Sequence, residues 1–222
     1  MMKYKSVFDI IGPVMVGPSS SHTAGAARIG RVARMLFGKQ PVKAEITFYG
    51  SFAKTYKGHG SDVATVAGIL DFDTDDLRLK DSLQIAKDVG IDIEIRTSEQ
   101  LTEHPNTSRI CLSEGDKIVE VVGVSIGGGK IEIIEINGYD FQLSFHAPTL
   151  MVLHRDRFGM IAAVAKVLTA HQINVGLMEV SRLVKGADAL MAIEVDSPLS
   201  AEVLEEIRQI PHIKEVSLLS FS

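Results

Sequence analysis

The stretch from Thr149 onward constrains the fold most, because its hydrophobic period changes in a fixed order. Thr149 to Leu153 is a short apolar run of strand length. Phe158 to His171 repeats apolar residues at helical spacing, with Ile161, Val164, Ala165 and Leu168 on one side. Val175 to Leu183 and Ala187 to Val195 read as strands joined by a turn at Lys185-Gly186. Ser200 to Gln209 is a second helix, with Val203, Leu204 and Ile207 inward, and Ile213 to Leu219 is a last strand. The order βαββαβ in so short a segment is the ferredoxin-like unit. Pro148 marks a boundary, so residues 1–147 and 148–222 are expected as two domains. Such a unit leaves one sheet face and two edges uncovered by its own helices, and exposed edges invite pairing with another chain. Val175 and Leu177 alternate along one expected pairing strand, and Met191, Ile193 and Val195 along its neighbour. A homodimer through residues 149–222 is therefore expected.

The first domain is organised around Gly17-Pro18-Ser19-Ser20-Ser21-His22-Thr23. The next residues, Ala24 to Phe37, predict a helix with Ala26, Ile29, Ala33 and Leu36 along one side. Side chains that hydrogen-bond thus cluster at a helix N-terminus, where free N–H groups and the dipole suit an anion. Short hydroxyls fit a small carboxylate better than a nucleotide. Ala44 to Tyr49 reads as a strand. Beyond it His59 lies between Gly58 and Gly60, where a bare backbone admits a ligand closely. Ser61 or Asp62 is expected to cap a following helix that buries Val63, Val66, Ala67 and Leu70. On that reading His59 stands at a helix N-terminus, whose dipole keeps the ring neutral, as a general base requires. Leu79 to Val89 predicts a helix, and Ile91 to Ile95 a half-buried strand. His104-Pro105-Asn106-Thr107 is a polar turn, and Glu114-Gly115-Asp116 turns a hairpin. Asn137-Gly138 is a strong type I′ hairpin signal. Gly127-Gly128-Gly129 reads as a bend, or as a place where backbone meets ligand.

Composition excludes several functions. A net charge of −5 does not suggest a nucleic-acid partner. Arg28, Arg31 and Arg34 share one helix side and read as a solvated face. There is neither a signal-peptide pattern nor an apolar run of membrane-spanning length, so a cytoplasmic, membrane-free protein is expected. The single cysteine, Cys111, cannot form an internal disulfide or hold a cluster by itself.

Two resemblances follow from these motifs. Residues 149–222 resemble an ACT domain, a small module that often binds amino acids in metabolic enzymes. The matching parts are the loop His154-Arg155-Asp156-Arg157-Phe158-Gly159 and Asn174-Val175-Gly176. Many such domains have Pro before that Gly; here it is Phe158. The resemblance implies an amino-acid effector where His154, Asp156 and Gly159 of one chain approach Asn174 and Gly176 of another. The first 147 residues resemble the beta chain of iron–sulfur L-serine dehydratase. Gly-Pro-Ser-Ser-Ser-His-Thr at 17–23, Tyr-Gly-Ser at 49–51 and Lys-Gly-His-Gly-Ser-Asp at 57–62 carry the match. His-Pro-Asn at 104–106 and Ser-Ile-Gly-Gly-Gly at 125–129 add to it. The implied fold is α+β, a mixed α/β domain followed by the ferredoxin-like ACT domain.

The resemblance implies conversion of L-serine to pyruvate and ammonia, in a two-chain enzyme. A separate alpha chain would hold the 4Fe–4S cluster, whose open iron site acts as a Lewis acid on the substrate hydroxyl. It assigns His59 as candidate base and Ser19, Ser20, Ser21, His22 and Thr23 as the substrate-holding loop. The active site would lie between the chains. A rival reading is a non-catalytic amino-acid sensor, because the first domain also resembles the allosteric substrate-binding domain of some phosphoglycerate dehydrogenases.

Overall fold

The computed structural model describes residues 14–220. The apolar opening with Val7, Phe8, Ile10 and Ile11, expected as a helical turn, lies outside them. The chain divides into two compact units between Asn137 and Gly138, ahead of Pro148.

The first unit begins with a π-helical turn (Ser20–Ala24) that runs into α1 (Gly25–Phe37). Then come β1 (Lys43–Tyr49), α2 (Gly50–His59), α3 (Ser61–Ile69), a 3₁₀ turn (Leu77–Asp81) and α4 (Ser82–Asp88). Four strands follow: β2 (Asp92–Ser98), β3 (Thr107–Glu114), β4 (Lys117–Gly127) and β5 (Lys130–Ile136). They lie in the order β2-β1-β3-β4-β5; β6 (Tyr139–Leu143) follows in the chain, past the division. β1 and β2 are parallel, as a crossover through helices requires, and the other pairs of this unit are antiparallel. Asn137 and Gly138 both have positive φ, 49° and 82°, the type I′ geometry their sequence predicts.

Alternation along the strands sends Ile46, Phe48, Ile110, Leu112, Val121 and Ile133 into the core, where Ile29, Val32 and Phe37 of α1 are also buried. Each such side chain contributes about 1.5–3 kcal/mol by burial. The alternate positions carry charge: Arg109 pairs with Glu120 and Glu135, and Lys43 with Glu45 and Glu94. α1 and α3 cross closely, because Gly30 faces the Thr65 carbonyl and Gly68 faces the Ala27 carbonyl. Arg31 bonds Asp71 at 3.0 Å and Asp73 at 2.7 Å, so the arginine side is not simply a solvated face.

The largest departure from the sequence reading is α2, since that reading assigned no helix between the strand ending at Tyr49 and the helix after His59. Gly50, Ser51, Gly58 and the following Gly60 are poor helix formers. Tertiary contacts override them. Phe52 is fully buried, with its ring 5.8 Å from Phe48, and Tyr56 stacks on Phe48 at 5.6 Å.

The second unit holds β7 (Thr149–Arg155), α5 (Met160–Ala170), β8 (Val175–Arg182), β9 (Asp188–Val195), α6 (Ala201–Arg208) and β10 (Ile213–Leu219). Its sheet runs β10-β7-β9-β8, the expected βαββαβ topology. The core joins Leu150, Val152, Val164, Leu168, Met191, Ile193, Val195, Val203 and Ile207. Two expectations change. Met191, Ile193 and Val195 lie on an inner strand and are fully buried, so they are not a pairing row. The sheet's other face is not bare either: Met151 and Ala192 are buried, Gln142 N–H donates to Glu179, and Ser144 bonds Glu194. The open edges are β8 and β10. α5 starts after Gly159, which leaves Phe158 fully exposed, and Ile161 faces outward. No helix among the described residues is long and apolar enough to cross a membrane.

Candidate functional site

The serine stretch is not a loop before a helix but the helix's own first turn. Ser19 caps it, its Oγ accepting the His22 N–H at 3.2 Å, and the Gly25 N–H donates to the Ser20 carbonyl. Gly17, at φ 125°, must be glycine, because a Cβ there would stand 2.5 Å from Cγ2 of Thr23. The wide π turn brings the His22 ring into a nest of hydroxyls. Nδ1 lies 3.0 Å from Ser21 Oγ and 3.5 Å from Ser19 Oγ. Nε2 lies 3.2 Å from Ser51 Oγ. The ring meets Phe52 edge-on at 5.2 Å and lies 4.9 Å from the His59 ring.

Ser51 reaches His22 because α2 starts against the 104–106 turn. Ser51 and Phe52 N–H both donate to the Pro105 carbonyl, at 2.6 and 3.4 Å. Gly50, at φ 53°, is required there, since a Cβ would lie 2.6 Å from that carbonyl oxygen. His59 is the last residue of α2, and Gly60, at φ 67°, turns the chain into α3. The sequence-based placement of His59 at a helix N-terminus is thus half right: α3 starts just beyond it, but His59 belongs to the C-terminal end of α2. The dipole argument for its neutrality loses its premise. The N-cap of α3 is Gly60 and not Ser61 or Asp62; Asp62 sits inside the first turn, where its Oδ1 accepts the Val63 N–H at 2.8 Å, and Ser61 Oγ has no partner among the described residues. Among the described residues the His59 ring nitrogens have no hydrogen-bond partner. Thr23, expected as a substrate contact, is 2% exposed and donates its hydroxyl hydrogen to the His59 carbonyl at 3.0 Å. It acts as a joint between the serine turn and α2. The Ser20 hydroxyl makes no side-chain bond among the described residues.

The remaining motifs close the same region. Ser125 N–H donates to the Asn106 carbonyl at 3.0 Å. Gly25 is needed at the start of α1, because a Cβ would fall 2.1 Å from Ser125 Oγ. Gly127, Gly128 and Gly129 all have positive φ and form the β4–β5 hairpin turn, whose Gly129 carbonyl accepts from Arg28 at 2.8 Å. Sequence reading singled out these stretches but gave no role to Ser51, Asn106, Ser125 or Arg28. Only the motif match carried a signal for the first three, and Arg28 read as part of a solvated face.

Burial holds the His22 pKa below its ordinary value, and the adjacent His59 lowers it further. Burial likewise lowers His104, against a weaker opposing effect of Glu132. The site therefore offers a neutral imidazole, a second imidazole with unengaged nitrogens, and several hydroxyl donors. That set can take a proton from carbon and hold a small carboxylate. It does not suit an iron–sulfur cluster. Cys111 is the chain's one cysteine, and burial pushes its thiol up, away from thiolate. Among the described residues no three His, Cys, Asp or Glu side chains gather to hold a metal.

In the second unit the five residues expected at an effector site fall into two groups. His154 is only 2% exposed; its Nδ1–H donates to the Arg155 carbonyl, and Nε2 has no partner among the described residues. Asp156 accepts from Arg182 and from Gly186 N–H. Gly159, at φ 88°, caps α5. Asn174 donates to Asp196, which also flanks Gly176. Asp156 is thus tied to the Arg182 end of β8, and Asn174 precedes its Val175 end. Seven residue steps of extended strand separate those ends, about 23 Å. One chain does not bring the two groups together.

Comparison with known proteins agrees with both units. Residues 6–135 match the family model described as serine dehydratase beta chain, and residues 149–212 match the ACT domain. The chain is 56% identical over 219 residues to the probable L-serine dehydratase, beta chain, of Bacillus subtilis (strain 168), covering 99% of this chain and 100% of that one. It is 37% identical over 205 residues to the L-serine dehydratase, beta chain, of Peptoniphilus asaccharolyticus, covering 91% and 92%. It is also 31% identical over 137 residues to a D-3-phosphoglycerate dehydrogenase of Methanocaldococcus jannaschii, covering 61% of this chain and 26% of that one.

Proposed function

Because the chain belongs to the serine dehydratase beta-chain family, we propose that it is the beta subunit of a two-chain, cytoplasmic iron–sulfur L-serine dehydratase. The product would be pyruvate and ammonia. One observation carries this reading: stretches 17–23, 49–51 and 57–62 meet around His22 and His59, with 104–106 holding Ser51 and 125–129 packed on Asn106 and Gly25. In this reading His59 takes the α-proton of L-serine. Its ring nitrogens have no partner among the described residues, whereas both nitrogens of His22 are engaged. A base of this kind is worth about 10²–10⁴-fold in rate. The turn of Ser19, Ser20, Ser21 and His22 is the substrate-holding element of this reading: the Ser20 hydroxyl donates to the substrate carboxylate as charge develops, and the bonds among Ser19, Ser21 and His22 hold the turn in shape for it. Thr23 contributes through the His59 carbonyl. The cluster belongs to the alpha chain, since this chain lacks the thiolates for it.

The ACT unit would pair with a second copy along β8. A two-fold axis there sets the Arg182 end of one strand beside the Val175 end of the other. The two effector groups would then meet across chains, His154, Asp156 and Gly159 with Asn174 and Gly176.

The test is anaerobic co-expression with a cysteine-bearing alpha chain, followed by assay of pyruvate from L-serine. Turnover is expected only with both chains present. A stoichiometric 4Fe–4S cluster on this chain alone, or a cluster-loaded pair without turnover, would overturn the reading. The likeness to about a quarter of a phosphoglycerate dehydrogenase favours the second reading, a non-catalytic sensor. A neighbouring reading frame with clustered cysteines argues for the enzyme, and a transcription or transport partner for the sensor.

A further inference from the structure

The hydroxyls around His22 form one chain, and its direction can be worked out. A backbone N–H can only donate, so the 3.2 Å contact from His22 N–H makes Ser19 Oγ an acceptor. Accepting that bond polarises the Ser19 hydroxyl and makes its own hydrogen a better donor. The nearest acceptor for it is Ser21 Oγ, at 3.3 Å. Ser21 in turn lies 3.0 Å from His22 Nδ1 and donates to it. A neutral imidazole that accepts at Nδ1 carries its hydrogen on Nε2. That hydrogen points at Ser51 Oγ, 3.2 Å away. Every hydrogen in the series then has an acceptor except the last. The hydroxyl hydrogen of Ser51 has none among the described residues.

We propose that Ser51 fixes the Nε2–H tautomer of His22 and offers its own hydroxyl hydrogen to the substrate's carboxylate. Ser51 is suited to both tasks, because its main chain is held at each end. Its N–H donates to Pro105, and its carbonyl accepts from Thr55 Oγ1 at 2.7 Å. The reverse direction along the series would put the hydrogen on Nδ1, use up the Ser51 hydrogen on Nε2 and leave that of Ser19 over. It forgoes the polarisation supplied by the His22 N–H. The tautomer half of the proposal stands on the geometry alone; the carboxylate half rests on reading the site as one for L-serine.

Nitrogen-15 imidazole spectra of the full chain test the first half without any activity. His22 is expected as a single Nε2–H tautomer, and Ser51→Ala should convert it to a mixture. An Nδ1–H tautomer in the wild type, or an unchanged signal in Ser51→Ala, would overturn it. For the second half, the chain reconstituted with its alpha partner is assayed with L-serine. Loss of a hydrogen bond to a charged group should raise KM about tenfold to a hundredfold with a smaller fall in kcat, and Ser51→Thr should restore it. A Ser51→Ala enzyme with wild-type KM would refute the carboxylate contact even if the tautomer result holds. Matching melts of the variants exclude misfolding as the cause. If the wild-type pair turns over no serine, the functional reading fails and the carboxylate half falls with it, while the tautomer result stands by itself.

Discussion

Gly68→Ala should both destabilise the chain and damage the site, although Ala is the better helix former. A Cβ at Gly68 would lie 2.0 Å from the Ala27 carbonyl oxygen and 2.6 Å from the Arg31 nitrogen. Ordinary contact begins at 3.4 Å, so α3 must retreat from α1 by about 1.4 Å (3.4 minus 2.0). Both obstacles are main chain, which cannot rotate away. Overpacking of this kind costs about 1–3 kcal/mol, here at the upper end. The helix propensity of Ala offsets about 1 kcal/mol of it. The net is about 2 kcal/mol, or a melting temperature lower by about 4–8 °C for a chain of this size. The same retreat reaches the site, because α1 follows directly from the serine turn and α3 directly from His59. It would stretch the 3.0 Å bond from Thr23 Oγ1 to the His59 carbonyl beyond hydrogen-bond range. Gly58→Ala is the control: the position is helical, with nothing within 4 Å of the added Cβ, so it should be neutral or stabilising. Circular-dichroism melts of the three chains and kcat of the reconstituted enzymes check this. A Gly68→Ala chain as stable as Gly58→Ala would refute the close-crossing argument.

Three further outcomes are expected. His59→Ala in the reconstituted enzyme should lower kcat by about 10²-fold or more with a smaller change in KM; near-normal kcat would demote it to a structural residue. Because the folded His22 pKa lies below its ordinary 6.5, stability should be fully present above that pH and fall as pH drops through it toward the folded value. His22→Gln should flatten this part of the melting-temperature profile, His104 supplying what slope is left; an unchanged profile would contradict the shift. Sedimentation should find the full chain dimeric and residues 1–147 alone monomeric, and a dimeric truncation or a monomeric full chain at micromolar concentration would exclude a dimer through residues 149–222.

The second unit was legible almost element by element, because its elements obey their own periods. Val164 and Leu168, and Val203 and Ile207, repeat at helical spacing and are buried as that spacing requires. What could not be read there was which surfaces are covered. Burial of Met151 and Ala192 depends on residues distant in sequence, and no local period reports it. Phe158 shows the same limit at a helix boundary: its apolarity suggested helix, but Gly159 in the left-handed region caps α5, which starts two residues later at Met160 and leaves the ring in solvent.

At the site the failure was of a different kind. α2 has glycines at both ends and a helix propensity that argues against it, so pattern reasoning assigned no helix there. The helix exists because Phe52 and Tyr56 pack on Phe48 and because the Pro105 carbonyl accepts two of its orphan N–H groups, those of Ser51 and Phe52. Once α2 forms, its two ends perform different tasks: Ser51 at the start meets His22, and His59 at the end meets Thr23. The glycines that lower its propensity are therefore needed at one end by steric approach, where Gly50 admits the Pro105 carbonyl, and at the other by φ, where Gly60 turns into α3. A local rule broken at both ends of one short helix, with a specific compensating contact at each, is what a functional segment is expected to look like. That argument, from broken propensity to site, reaches Ser51 as directly as His59, although the sequence had singled out only the histidine.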